Sequence, residues 1–187
     1  MDGSDSASRI ICYQCRMSDA LDALNEGLRE VDDLEALVQL KTGGSRGPTA
    51  GIAAARRSAV LLINAHFEAY LEDVLEEALN AINDGFSADR LRRDFTTPRV
   101  DNINNLFSLI GIDRIAMKPS RQKAGNRAIR KAIDELQNAR NAIAHGERAM
   151  VTKSKVSYFR THVVGFSKSV DRIVANRVKE MTGAAPW

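Results

Sequence analysis

The sequence predicts an all-α protein, a helical bundle of about four long helices plus short ones. Three observations carry this. Apolar residues recur three and four apart through long stretches, as the 3.6-residue period of a buried helix face requires. No stretch keeps the strict alternation of a half-buried strand. The interruptions between periodic segments are rich in Gly, Pro, Asn and Asp, the residues that end helices and make turns.

The elements follow in order. Residues 1–17 lack periodicity and are expected to form a loosely ordered N-terminal segment, ahead of a single helical domain over 18–182 and a C-terminal tail over 183–187. Ser18 suits the N-cap of a first helix, whose Leu21, Leu24, Leu28, Val31, Leu34 and Val38 share one face to about Leu40. Thr42-Gly43-Gly44-Ser45-Arg46-Gly47-Pro48-Thr49 breaks it as a flexible linker. The longest helix is predicted from about Ile52 to Asn83, with Val60, Ile63, Phe67, Tyr70, Leu71, Val74, Ala78 and Ala81 turned inward. Asn83-Asp84-Gly85 reads as a turn, followed by a polar piece whose arginines at 90, 92 and 93 join Arg99 in a basic run. Asp101 is placed as the cap of a short helix carrying Ile103, Leu106, Phe107 and Ile110, ended by Gly111. A basic loop over 114–124 leads into a helix over 128–145. After a polar loop from Glu147 to Ser154, a final helix reaches about Met181, with Phe159, Val163, Phe166, Val170, Ile173, Val174 and Val178 spaced to pack.

Composition bounds the function. Of 187 residues, 44% are hydrophobic and 27% charged, values of an ordinary globular chain large enough for a real core. No apolar run nears the roughly 20 residues that span a bilayer, and the acidic start Met1-Asp2-Gly3-Ser4-Asp5 is unlike a secretory signal. A cytoplasmic protein with no membrane partner is therefore expected. The net charge of +3 is compatible with a nucleic-acid partner without requiring one. Cys12 and Cys15 form an isolated Cys-x-x-Cys with no second ligand pair at finger spacing, so reduced thiols are expected, with zinc shared between molecules the alternative.

Chemistry concentrates in Asn138-Ala139-Arg140-Asn141-Ala142-Ile143-Ala144-His145-Gly146. On a wheel at 100° per residue, the alanines at 128, 132, 139 and 144, the isoleucines at 129, 133 and 143 and Leu136 fill an arc of about 160°. Arg140 falls inside that arc, between Ile129 and Ile133, where an unpaired guanidinium would cost several kcal/mol to bury. It is therefore expected to meet a carboxylate, an anion or a wet cleft. Asn141 and His145 lie about 40° apart, close enough to touch. Gly146 suits the left-handed residue that ends a helix, leaving His145 in the last turn. Glu68, at the edge of the long helix's apolar stripe, is the natural partner for Arg140; the alternative has it reach solvent past its neighbours. His66 faces another side with Ala59 and Leu62 and is read as structural or interfacial. The bland reading of the motif is a histidine that interacts with the helix macrodipole and an arginine that pairs with some acid.

Arg140, Asn141 and His145, followed by glycine, resemble the signature of HEPN-domain ribonucleases, an arginine followed four to six residues later by a histidine. With Ala65-His66-Phe67-Glu68-Ala69-Tyr70-Leu71-Glu72 and the Leu106 to Gly111 segment, the likeness is to the RiboL-PSP-HEPN branch and covers most of 18–180. The resemblance implies a helical homodimer that brings two copies of the motif to one cleft and cuts RNA without metal or other cofactor, as a toxin or defence effector. An antitoxin or other defence-system partner is implied with it. The catalytic set is expected to be Arg140, Asn141 and His145, with Glu68 orienting Arg140. In some toxin relatives a tyrosine two residues after the histidine is modified by a partner nucleotidyltransferase; here that position is Glu147, so this regulation does not carry over. The alternative function is a non-catalytic HEPN-type module that binds nucleotide or RNA or docks a partner, and beyond it a plain helical adaptor.

Overall fold

The structure, a computed structural model, describes residues 16–42, 50–82, 95, 97–119, 123–147 and 149–187. Cys12, Cys15, the linker over 43–49, the turn at 83–85 and the arginines at 90, 92, 93 and 121 lie outside the described residues. Five α-helices and one 3-10 turn are present among the described residues, and no strand is. They are α1 (Asp19–Thr42), α2 (Ala50–Ile82), α3 (Val100–Ser108), the 3-10 turn Ile115–Met117, α4 (Lys123–Ala144) and α5 (Lys153–Thr182). The all-α bundle expected from the sequence is the fold observed.

α2 is the axis of the molecule, packing against α1, α4 and α5. Its sequence explains this, because its apolar face is wide: Val60, Ile63, Phe67, Tyr70, Leu71 and Val74 are buried, with Ala59 buried at one edge of that face and Leu75 at the other. Ala81, expected inward, is exposed near the helix end. Phe67 meets Phe166 of α5 edge-on, with centroids 5.8 Å apart, and Tyr70 Oη donates to the Ser167 carbonyl at 2.8 Å. α1 approaches α2 so closely at Gly27 that a Cβ there would lie 2.3 Å from His66 Nδ1. His66 is thus a packing residue of the α1/α2 seam, its Nε2 3.7 Å from Glu30 Oε2.

The caps follow the sequence closely, with one exception. Ser18 Oγ accepts from the Leu21 N–H at 3.0 Å, as expected of an N-cap, and Glu77 of α2 adds an acceptor for the Ala20 N–H at 2.6 Å. Thr152 caps α5, its Oγ1 accepting from the Lys155 N–H at 3.2 Å. Asp101 is not the cap of α3. Arg99 holds that position without a side-chain bond, and Asp101 sits in the first turn, where its charge favours the helix dipole. The loop expected over 114–124 also contains structure, since the 3-10 turn buries Ile115 and Ala116 against the core.

The C-terminal residues dock on the bundle. Trp187 packs against the core and donates from Nε1 to Asp171 Oδ2 at 3.2 Å. The same carboxylate accepts from the Ser18 N–H at 3.3 Å and, through a short bond, from the Ser18 hydroxyl. Asp171 therefore joins the start of α1, the middle of α5 and the chain end.

Candidate active site

α4 carries the site, and its sequence says where it must end. Gly146 takes φ +76°, a conformation open to glycine and strained for other residues, and so lets the chain leave the helix. The Glu147 N–H then reaches the Ala142 carbonyl at 2.9 Å and the Gly146 N–H the Ile143 carbonyl at 3.1 Å. This is a Schellman closure. His145 is the last residue before it, exposed, with its own N–H on the Asn141 carbonyl at 2.9 Å. α4 is anchored from the other side by Glu135, which pairs with Lys155 of α5. The Lys155 ammonium beside it holds the Glu135 carboxyl below its ordinary range.

Burial on α4 changes along the helix axis. Ala132, Ile133, Leu136 and Gln137 are buried; Ala139, Asn141, Ala142 and Ile143 are half-buried; Arg140, Ala144 and His145 are exposed. Arg140 lies on the face that Ile133 buries two turns earlier, yet it is exposed, because core cover thins toward the end of α4, where Ala139 and Ile143 are only partly buried against it. The expectation of a guanidinium within an apolar face is corrected accordingly. Its side chain is exposed to solvent.

Glu68 on α2 is half-buried and faces this cation. Burial pushes its carboxyl above the ordinary range, and the Arg140 guanidinium pulls against that shift. The two form no direct ion pair. Arg140 Nη1 instead donates to Asn141 Oδ1 at 3.3 Å, which leaves most guanidinium donors for a ligand. Asn141 and His145 share no side-chain bond, since the asparagine oxygen is turned to Arg140. The structure thus brings Glu68, Arg140 and Asn141 together and sets His145 one turn further along. Around the helix, Arg140 and His145 point about 140° apart.

Two features of this region were not expected from the sequence. Asn64, buried, donates from Nδ2 to Glu68 Oε2 at 3.5 Å and accepts from Gln137 Nε2 of α4 at 2.5 Å. A glutamine just past the edge of the apolar arc and an asparagine four residues before Glu68 were the available signals. The second feature is Arg99, which the sequence shows only as part of a basic run. Its Nη2 donates to Asn138 Oδ1 at 3.4 Å, which adds a cation near the side of α4 that carries His145. Among the described residues, no group of three or more His, Cys, Asp or Glu side chains is arranged to hold a metal ion, and no helix is long and apolar enough to cross a membrane.

Comparison with known proteins places these residues in a family. The family model described as RiboL-PSP-HEPN matches residues 25–176, a span that includes Glu68, Arg140, Asn141 and His145. No curated protein and no solved structure matches the chain. With a match over most of its length, an all-α fold and the Arg-Asn-x-x-x-His motif closing its fourth helix, the chain belongs to the RiboL-PSP-HEPN family.

Proposed function

We propose that the protein is a metal-independent endoribonuclease that cuts RNA through its own 2′-hydroxyl, serving as a toxin or defence effector in the cytoplasm. The observation that carries this is the placement of Arg140, Asn141 and His145 in and beside an open, solvent-facing helix end, in a chain of a family whose members are often ribonucleases. RNA supplies the nucleophile, so the protein needs a base for the 2′-hydroxyl proton, positive charge on the phosphorane-like transition state and an acid for the leaving 5′-oxygen. An imidazole titrating near neutrality can be base or acid, and a guanidinium can hold two phosphate oxygens at once. O2′ bonds to phosphorus as the P–O5′ bond breaks; one histidine takes the 2′ proton and another protonates O5′. One protomer offers one His145, pointing about 140° from its own Arg140, so a homodimer completes the site with the second histidine. RNA is the substrate, and an antitoxin or other defence-system partner restrains the enzyme.

The test is single-stranded RNA incubated with purified protein in EDTA. Cleavage that persists and leaves 2′,3′-cyclic phosphate and 5′-hydroxyl ends is expected. Loss in chelator with rescue by magnesium would overturn the mechanism, and RNA binding without cleavage would replace it with the binding-module reading.

A further inference from the structure

We propose that Asn64 and Gln137 are positioning residues of this site, aligned across the α2/α4 seam to fix the Glu68 carboxylate beside Arg140; the catalytic part of the inference rests on the nuclease reading above.

The geometry is a line of three side chains. Gln137, on the last buried turn of α4, donates to Asn64 Oδ1, and Asn64 Nδ2 donates to Glu68 Oε2. Glu68 stands one turn beyond Asn64 on α2, and Arg140 one turn beyond Gln137 on α4, so the line starts in the core and emerges at the cation. Stability does not account for it. Gln137 Oε1 is buried with no hydrogen-bond partner among the described residues. A half-satisfied amide pair in a helix seam is worse than two leucines of similar size. What leucines cannot do is point a carboxylate.

A pointed Glu68 matters because it touches no guanidinium nitrogen directly. A bidentate ion pair would occupy two donors of Arg140 and neutralise the charge that a phosphate needs. A carboxylate held at a distance biases the guanidinium toward α2 while its donors stay available. Arg140 itself is exposed, and among the described residues its guanidinium is bonded only to Asn141, so without that bias its long side chain would sample many rotamers. Misplacing a transition-state contact by about 1 Å can cost on the order of 100-fold in rate.

The experiment uses three full-length proteins: the parent, the double variant Asn64→Leu with Gln137→Leu, and Glu68→Gln. Each is melted, assayed for kcat and KM on a short RNA in EDTA, and examined by NMR relaxation at the Arg140 Nε. Removing both amides keeps seam volume, so the double variant is expected to melt within a few degrees of the parent, with kcat lowered about 10- to 100-fold, KM within about twofold and a more mobile Arg140 Nε. Glu68→Gln retains the side-chain shape and is expected to show the same kcat loss without destabilisation. Parent kcat in a folded double variant, or in Glu68→Gln, overturns the inference. If the double variant does not fold, Glu68→Gln alone decides. If the parent cuts no RNA, the nuclease reading fails by itself, and the positioning claim stands or falls on whether Arg140 loosens.

Discussion

At the residue scale, exposure separates chemistry from stability. Arg140 and His145 are both exposed, so alanine at either leaves no cavity and strands no direct ion-pair partner. Each variant is expected to melt within about 2–3 °C of the parent, in keeping with surface substitutions worth about 0.5 kcal/mol or less. RNA cleavage is expected to fall about 10²–10⁴-fold for His145→Ala, the usual worth of an acid–base group. A His145→Ala protein that cleaves like the parent would end the nuclease assignment. The helical wheel located Arg140 correctly by angle and wrongly by depth, because it projects out the axis along which burial on α4 falls. The same blindness concealed Gln137, which lies beyond the arc's edge by angle and is fully buried by depth. The glycine after His145 needed no tertiary knowledge. A helix end at a left-handed residue is a local property of the chain, and φ +76° at Gly146 is the outcome.

At the element scale, the helices and their inward faces were readable because packing follows period, whereas the polar ties between helices were not. Asp171 shows why. Within α5 it looks like any helix-surface acid, and only the fold brings Ser18 and Trp187 to it. Burial pushes its carboxyl above the ordinary range, with the Ser18 and Trp187 hydrogen bonds opposing and Asp22 adding to the shift. A folded-state value above the unfolded one means the native state binds more protons between the two, so this group's contribution is present below the unfolded value and is lost as pH rises through the folded one. Asp171→Asn removes the titration and turns an amide N–H toward either Ser18 or Trp187, a cost of about 1–3 kcal/mol for a buried unmatched donor. The stability gap between parent and Asp171→Asn is therefore expected to be smallest at neutral pH and to widen toward pH 4. Urea melts of both proteins at pH 7 and pH 4.5 would measure it, and a gap that narrows on acidification would contradict the assignment.

At the scale of the whole molecule, the bundle is closed around α2 and open at one end. α1, α4 and α5 cover the long helix, but the last two turns of α4 leave Ala139 and Ile143 half-covered and Ala144 exposed beside Arg140. Leu61, which shares the Glu68 side of α2, is also exposed. These apolar residues beside Arg140 form a face that a second copy would cover about a two-fold axis, and within one protomer Arg140 and His145 stand about 140° apart around the helix. The protein is therefore expected to be a homodimer whose interface borders α4 from Arg140 to His145 and buries at least about 1,200 Å². Light scattering at micromolar concentration should return twice the chain mass. Specific activity should also fall on dilution, at the concentration where scattering shows the dimer dissociating. A monomer that cuts RNA at a rate proportional to its concentration throughout would sink the composite site, and with it the need for two histidines.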